Sequence, residues 1–211
     1  GWSDGATVIN ASTSVTNVTS NKTLTAQWAI AAPGIPGTPT AAPGNGSATI
    51  TIVAPNTGGT PSSYTITASP GGATCQVISP ATTCTISSLT NGISYTFSAT
   101  ASNTTGNSIS ASSASAAVTP ASVPTSPLGV TGSGTGSSAT ISWSVPESNG
   151  GSAITGYTIT SSPAGATCVV ATSATTYTCT GLTNGTAYKF AATATNATST
   201  SASSIQVSGT P

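Results

Sequence analysis

Along most of this chain apolar side chains recur at every second position, in short runs broken by Gly, Pro, Asn and Ser. Successive strand side chains point to opposite faces. Ile50 and Ile52 therefore share a face, as do Ile141 and Trp143. Tyr95, Phe97, Ala99 and Ala101 form a second inward row, and Tyr188, Phe190, Ala192 and Ala194 repeat it. Lys189, between two members of that row, is expected to face solvent. Residues 49–53 and 140–145 each read as one strand. No segment sustains an apolar period of 3.6 residues, and Thr-rich and Gly-rich runs disfavour helix. Short strands between regular turn signals predict an all-β chain of antiparallel sandwiches.

The pattern occurs twice. Ser47-Ala48-Thr49-Ile50 returns as Ser138-Ala139-Thr140-Ile141, and Tyr64-Thr65-Ile66-Thr67 as Tyr157-Thr158-Ile159-Thr160. Gly72-Ala73-Thr74-Cys75 returns as Gly165-Ala166-Thr167-Cys168, and Leu89-Thr90-Asn91-Gly92 as Leu182-Thr183-Asn184-Gly185. A period of this size is a whole domain rather than a solenoid repeat. The expected division is a separate segment at 1–32, one unit at 33–120 and a second at 121–211. Pro-rich stretches at 33–43 and 120–127 open the two units as linker and first edge strand, where proline blunts edge pairing. Short linkers of this kind are expected to hold neighbouring units in a semi-extended row.

Composition changes the picture through charge. Of 211 residues only Asp4, Lys22, Glu147 and Lys189 are ionised at neutral pH, and there is no His. General acid–base catalysis needs a titratable group at the substrate, metal sites need clustered His, Cys or carboxylates, and nucleic-acid binding needs a basic surface. Four scattered charges supply none of these, so no enzyme activity, cofactor, metal or nucleic-acid partner is expected. Zero net charge also removes the repulsion that keeps most soluble proteins apart, which favours self-association. Val, Ile, Leu and Phe together number only 32. They are arranged rather than scattered, so a folded chain is expected. No apolar run is long enough to span a membrane. No secretion signal opens the chain; the expectation is that processing removed it or that the sequence is an interior piece.

Four cysteines allow three pairings. The repeat favours Cys75–Cys84 and Cys168–Cys179, with four buried free thiols as the alternative. Disulfides would place the chain in an oxidising compartment outside the cytoplasm.

Leu89, Gly92 and Tyr95, with Leu182, Gly185 and Tyr188, follow the Leu-x-x-Gly-x-x-Tyr pattern of a tyrosine corner. On these residues each unit resembles a bacterial fibronectin type III domain. Trp143 matches the family's strand-B tryptophan, and Ile52 stands at that place in the first unit, implying a smaller core plug. The family's Asn-x-x-Gly turn is present as Asn103-Thr104-Thr105-Gly106. In the second unit Asn196 is kept and Ser199 stands where the glycine would be, so the same turn geometry does not follow there from the motif. The resemblance implies two tandem Ig-like, fibronectin type III sandwiches, and little about function.

Residues 1–32 lie outside the repeat. Gly1-Trp2-Ser3 and the closing Ala26-Gln27-Trp28 resemble the C-terminal half of a Listeria–Bacteroides repeat, the internalin B-like module of bacterial surface proteins. Thirty residues cannot bury a core alone. The segment is then either the remnant of a longer protein or a half-module completed by a neighbouring subunit through strand addition. In the second case Trp2 and Trp28 are the candidate subunit joint.

Other candidates give way to plainer readings. An isopeptide crosslink at Lys22 or Lys189 would need a buried lysine. Asn-x-Ser/Thr triplets at Asn10, Asn17, Asn21, Asn45, Asn103, Asn184 and Asn196 arise readily in a Ser/Thr-rich chain. Tyr64, Tyr157 and Tyr177 are expected to be half-buried strand residues and Trp143 core, leaving no sugar-stacking aromatic row. Gly58-Gly59 and Gly150-Gly151 are turn glycines, since no phosphate-loop Lys-Ser/Thr follows. The expectation is an extracellular structural protein of a bacterial surface, self-associating into a filament, sheath or surface layer, with cell-wall glycan as a further contact. The alternative is a spacer or binding module of an adhesin or of a secreted polysaccharide-degrading enzyme.

Overall fold

The chain is all-β in a computed structural model that describes residues 30–163, 167–170 and 174–211, together with the backbones of three short strands nearer the N terminus. Those three, β1 (Trp2–Ser3), β2 (Val8–Ile9) and β3 (Thr25–Ala26), form an antiparallel sheet in the order β2-β1-β3. Asp4, Lys22, Trp28, Asn10, Asn17, Asn21 and the side chain of Trp2 lie outside the described residues.

Next along the chain come β4 (Gly37–Gly44), β5 (Ser47–Val53), β6 (Ser63–Ser69), β7 (Thr74–Ile78), β8 (Thr83–Ser87), β9 (Thr96–Asn103) and β10 (Gly106–Asn107). They form two facing sheets, β4-β5-β8 and β10-β9-β6-β7. The second sandwich is built from β11 (Leu128–Thr135), β12 (Ser138–Ser144), β13 (Ile154–Ser162), β14 (Thr167–Val170), β15 (Thr176–Thr180), β16 (Tyr188–Asn196) and β17 (Val207–Gly209). Its sheets are β11-β12-β15 and β14-β13-β16-β17. The two first strands even carry a bulge at the same place, between Gly37 and Thr40 and between Leu128 and Thr131.

Period-2 alternation builds both cores. Ile50, Ile66, Phe97, Ala99 and Ala101 are fully buried in the first, and Ile141, Ile159, Phe190, Ala192 and Ala194 in the second. Trp143 packs against Tyr157, ring centroids 5.2 Å apart. Its buried Nε1–H has no hydrogen-bond partner. Ile52 takes the same buried place in the first sandwich.

Some expectations need correction. Tyr64 and Tyr157 are core residues, 5% and 2% exposed, not half-buried ones. Each sits on the inward parity of its strand beside a shorter Ile, and both phenols are pushed above their ordinary pKa by burial. Tyr177 is exposed. The strand expected at 140–145 is Ser138–Ser144, and Val145 lies beyond it, exposed. The prolines also do more than blunt an edge. Pro33, Pro36 and Pro39 in the first sandwich, and Pro124 and Pro127 in the second, are buried. Only β4 contains proline; β11 begins after Pro127.

The last edge of the first sandwich is held largely without strand pairing. Only Gly106–Asn107 of the last first-sandwich edge pairs as a strand with β9. Beyond that point serine side chains take over. The Ser108, Ser112 and Ser115 N–H groups donate to the carbonyls of Ala101, Ala99 and Phe97. Their hydroxyls accept the N–H groups of the same three residues, at 3.3, 3.0 and 3.1 Å. Ser201 and Ser204 repeat this against Ala194 and Ala192. Each serine thus supplies both the donor and the acceptor that a paired strand would offer.

Candidate functional site

Among the described residues no three or more His, Cys, Asp or Glu side chains cluster. Glu147 and Lys189 are exposed, and Lys189 points outward between the buried Tyr188 and Phe190. What the fold does assemble from its repeated motifs is a set of staples, two hydroxyl-covered faces and a joint.

The staples are the disulfides. Cys75 and Cys84 are bonded, as are Cys168 and Cys179, with Cα–Cα separations of 6.4 and 6.0 Å. In each case one cysteine lies on an edge strand of one sheet and its partner on an edge strand of the other: β7 with β8, and β14 with β15. Each bond closes one open side of its sandwich.

The tyrosine-corner residues come together at the end of each sandwich. The phenol oxygens of Tyr95 and Tyr188 accept the N–H groups of Thr90 and Thr183, both at 3.2 Å. The Thr183 hydrogen bond holds the Tyr188 phenol below its ordinary pKa. Leu89 and Leu182 are buried. Gly92 and Gly185 adopt φ of +83° and +77°, the left-handed region that favours glycine.

The outer face of each three-stranded sheet is a grid of hydroxyls. On the second sandwich Thr131, Ser142 and Thr176 stand side by side, and Ser133, Thr140 and Thr178 form the next row. Thr140 and Thr178 hydroxyls bond each other at 2.9 Å, and Thr49 and Thr85 do so at 3.1 Å on the first sandwich. No charged residue interrupts either grid.

The joint lies between the sandwiches. Gly92 N–H donates to Pro120 O and Ala121 N–H to Gly44 O, at 2.9 and 3.2 Å, which ties the linker to the first sandwich. The very next residue belongs to the second sandwich. Ser122 N–H donates to Gly150 O at 2.8 Å, and Asn196 Nδ2 donates to Ser122 O and Asn149 O, both at 2.8 Å. The sandwiches touch where Asn91-Gly92 meets the Gly150-Gly151 loop; a Cβ on Gly92 would sit 3.2 Å from Gly151 Cα. Beside this contact an uncharged cleft of about 570 Å³ opens between Gly44, Asn45, Ser122, Gly151 and Thr198.

Asn196 answers the question that Ser199 left open about the turn. Its Oδ1 accepts the N–H groups of Thr198 and Ser199 at 2.9 and 3.1 Å. Asn103 Oδ1 accepts those of Thr105 and Gly106 at 2.9 and 3.2 Å. The turn needs the asparagine acceptor rather than the glycine. Asn103 Nδ2 likewise donates to Ala31 O at 2.8 Å, so the incoming chain is clamped to the first sandwich as Ser122 is to the second.

Residues 122–210 match the family model of the fibronectin type III domain. Among solved structures, the chain is similar to chicken CNTN1 FN1-FN3 domains, at 20% identity and a TM-score of 0.46. The match covers 84% of this chain and 66% of that one, so the chain accounts for about two thirds of that neighbour's length. No curated protein sequence matches the chain.

Proposed function

We propose that this chain is a non-enzymatic structural protein of a bacterial surface, working outside the cell as a row of disulfide-stapled fibronectin type III-like sandwiches that self-associates into a filament, sheath or surface layer. The observation that carries the reading is the joint. Consecutive residues Ala121 and Ser122 are hydrogen-bonded to different sandwiches, so there is no free linker to bend. The uncharged hydroxyl grids supply the second half of the argument: faces without net charge can meet laterally with no Coulomb penalty. The disulfides fit an oxidising compartment. The division into a segment at 1–32 and units at 33–120 and 121–211 belongs to this proposal. So does the role of the first segment as half of a Listeria–Bacteroides-type module that a neighbouring subunit completes at Trp2 and Trp28.

Negative-stain electron microscopy of the native protein, with light scattering on the same sample, tests it. Ordered fibres, tubes or sheets are the expected result. Short rods at monomer mass would overturn self-assembly and leave the spacer of an adhesin or secreted enzyme, which the stiff joint also suits. Deleting residues 1–32 is expected to abolish the assemblies; normal assembly after deletion would remove the half-module from the joint.

A further inference from the structure

Resting on the reading of sandwiches in series, we propose that the far end of the second sandwich is a docking socket for another sandwich of the same type, one that presents a Gly-Gly loop as the β12–β13 connection does. The interior joint is the template. There, Leu89 N–H bonds Gly46 O, Thr90 N–H bonds the Tyr95 phenol, and Gly92 N–H bonds Pro120 O. The far end reproduces all three: Leu182 N–H to Ser137 O at 3.0 Å, Thr183 N–H to the Tyr188 phenol at 3.2 Å, and Gly185 N–H to Pro211 O at 2.9 Å. Gly185 also keeps the positive φ of Gly92. The difference is occupancy. A Cβ on Gly92 would meet the second sandwich, whereas a Cβ on Gly185 or Gly136 would meet nothing within 4 Å.

The far end is also less self-satisfied than its template. Asn91 is braced within the first sandwich: its Oδ1 accepts Gly46 N–H and its Nδ2 donates to Asn45 Oδ1, both at 2.8 Å. Gly136 stands where Asn45 would be, and the equivalent Asn184 is exposed. In the docked state its exposed carboxamide would be free to bond the backbone of the arriving Gly-Gly loop. The socket residues Thr135, Gly136, Asn184 and Gly185 carry no charge, and the arriving loop brings one charged side chain, the counterpart of the exposed Glu147. A bulky side chain in either glycine contact would hold the partners apart, as the close approach of Gly92 and Gly151 shows.

The test appends a second copy of residues 121–211 directly after Pro211 of the full chain. Backbone 15N relaxation and small-angle scattering then read whether the added sandwich moves with the rest. Shared tumbling is expected, with loss of that coupling on Asn184→Arg and also on Thr135→Arg, a second exposed position on the same face. In the unextended chain both substitutions are expected to leave the melting temperature unchanged. Independent tumbling of the added sandwich in the parent, or coupling that survives both substitutions, would overturn the socket. Made on samples dilute enough for light scattering to read monomer mass, this measurement separates from the assembly test: a rigid extended chain that forms no fibres keeps the socket and discards the filament, and fibres from a chain with a failed socket do the reverse.

Discussion

Tyr95 and Tyr188 show how much a single side chain does at the edge of these sandwiches. Each buries a ring and spends its phenol oxygen on a backbone N–H five residues upstream. Replacing either with Phe keeps the ring and removes the acceptor. A net loss of about 1 kcal/mol per site is expected, read as a lower urea midpoint with unchanged slope. Tyr64 and Tyr157 set a different dependence. Their folded-state pKa values lie above the ordinary 10.0 because burial disfavours the phenolate. The folded chain therefore binds those protons more tightly than the unfolded chain. The stability they contribute is complete below pH 10 and is lost as pH rises through their folded values. Tyr188 acts the other way, since its lowered pKa favours the folded phenolate as the pH approaches 10. Thermal melts between pH 9 and pH 11 are expected to show a falling midpoint that Tyr64→Phe and Tyr157→Phe each flatten.

At the scale of the element, the serine ladder beside β9 pairs without a regular strand and is easy to probe. Ser112→Ala would leave the buried Ala99 N–H without its acceptor, at a cost of about 1–3 kcal/mol. Faster hydrogen exchange at Ala99 is the specific readout, and the exposed Ser113→Ala is expected to change neither. The disulfides act on neighbouring edges. Changing the pair Cys75 and Cys84 to Ala removes the bond between β7 and β8, and about 2–3 kcal/mol is expected to be lost for a loop of this length. How legible were these elements? The inward rows were readable because a strand has a period of two and Phe97, Ala99 and Ala101 obey it. The cysteine partners were readable because the repeat places Cys75 and Cys168 alike. The ladder was not, because Ser108, Ser112 and Ser115 lie four and three residues apart, which breaks the strand period of two, and in a Ser/Ala-rich stretch they look like loop filling. Their role depends on the backbone of β9, which no local pattern reveals. Tyr64 and Tyr157 were underestimated for a related reason: a polar tip suggested partial exposure, while the parity of β6 and β13 already pointed both rings inward. The turn at Asn196 was left open by Ser199, because the motif does not say which of its two residues carries the hydrogen bonds.

For the whole molecule, absent charge and a bonded linker lead to separate expectations. The proposed association through hydroxyl faces would carry no screened Coulomb term, so assembly measured by light scattering is expected to vary little as ionic strength rises tenfold; dissociation by salt would point to the few charged groups instead. In the proposed row, the linker bonds and the small contact beside them would hold orientation together. Asn91 and Gly92 touch Gly151, and that small patch has little apolar surface to bury. Orientation is held because Pro120 and Ala121 are bonded to one sandwich while Ser122 is bonded to the other. Inserting two glycines between Ala121 and Ser122 leaves every one of those bonds able to form, yet frees the sandwiches from each other. Both melting transitions should therefore be unchanged while residual dipolar couplings lose their common alignment. Alignment that survives the insertion would mean the Asn91–Gly151 contact alone orients the pair. Lowered melting temperatures would mean the linker bonds are part of sandwich stability rather than of the joint.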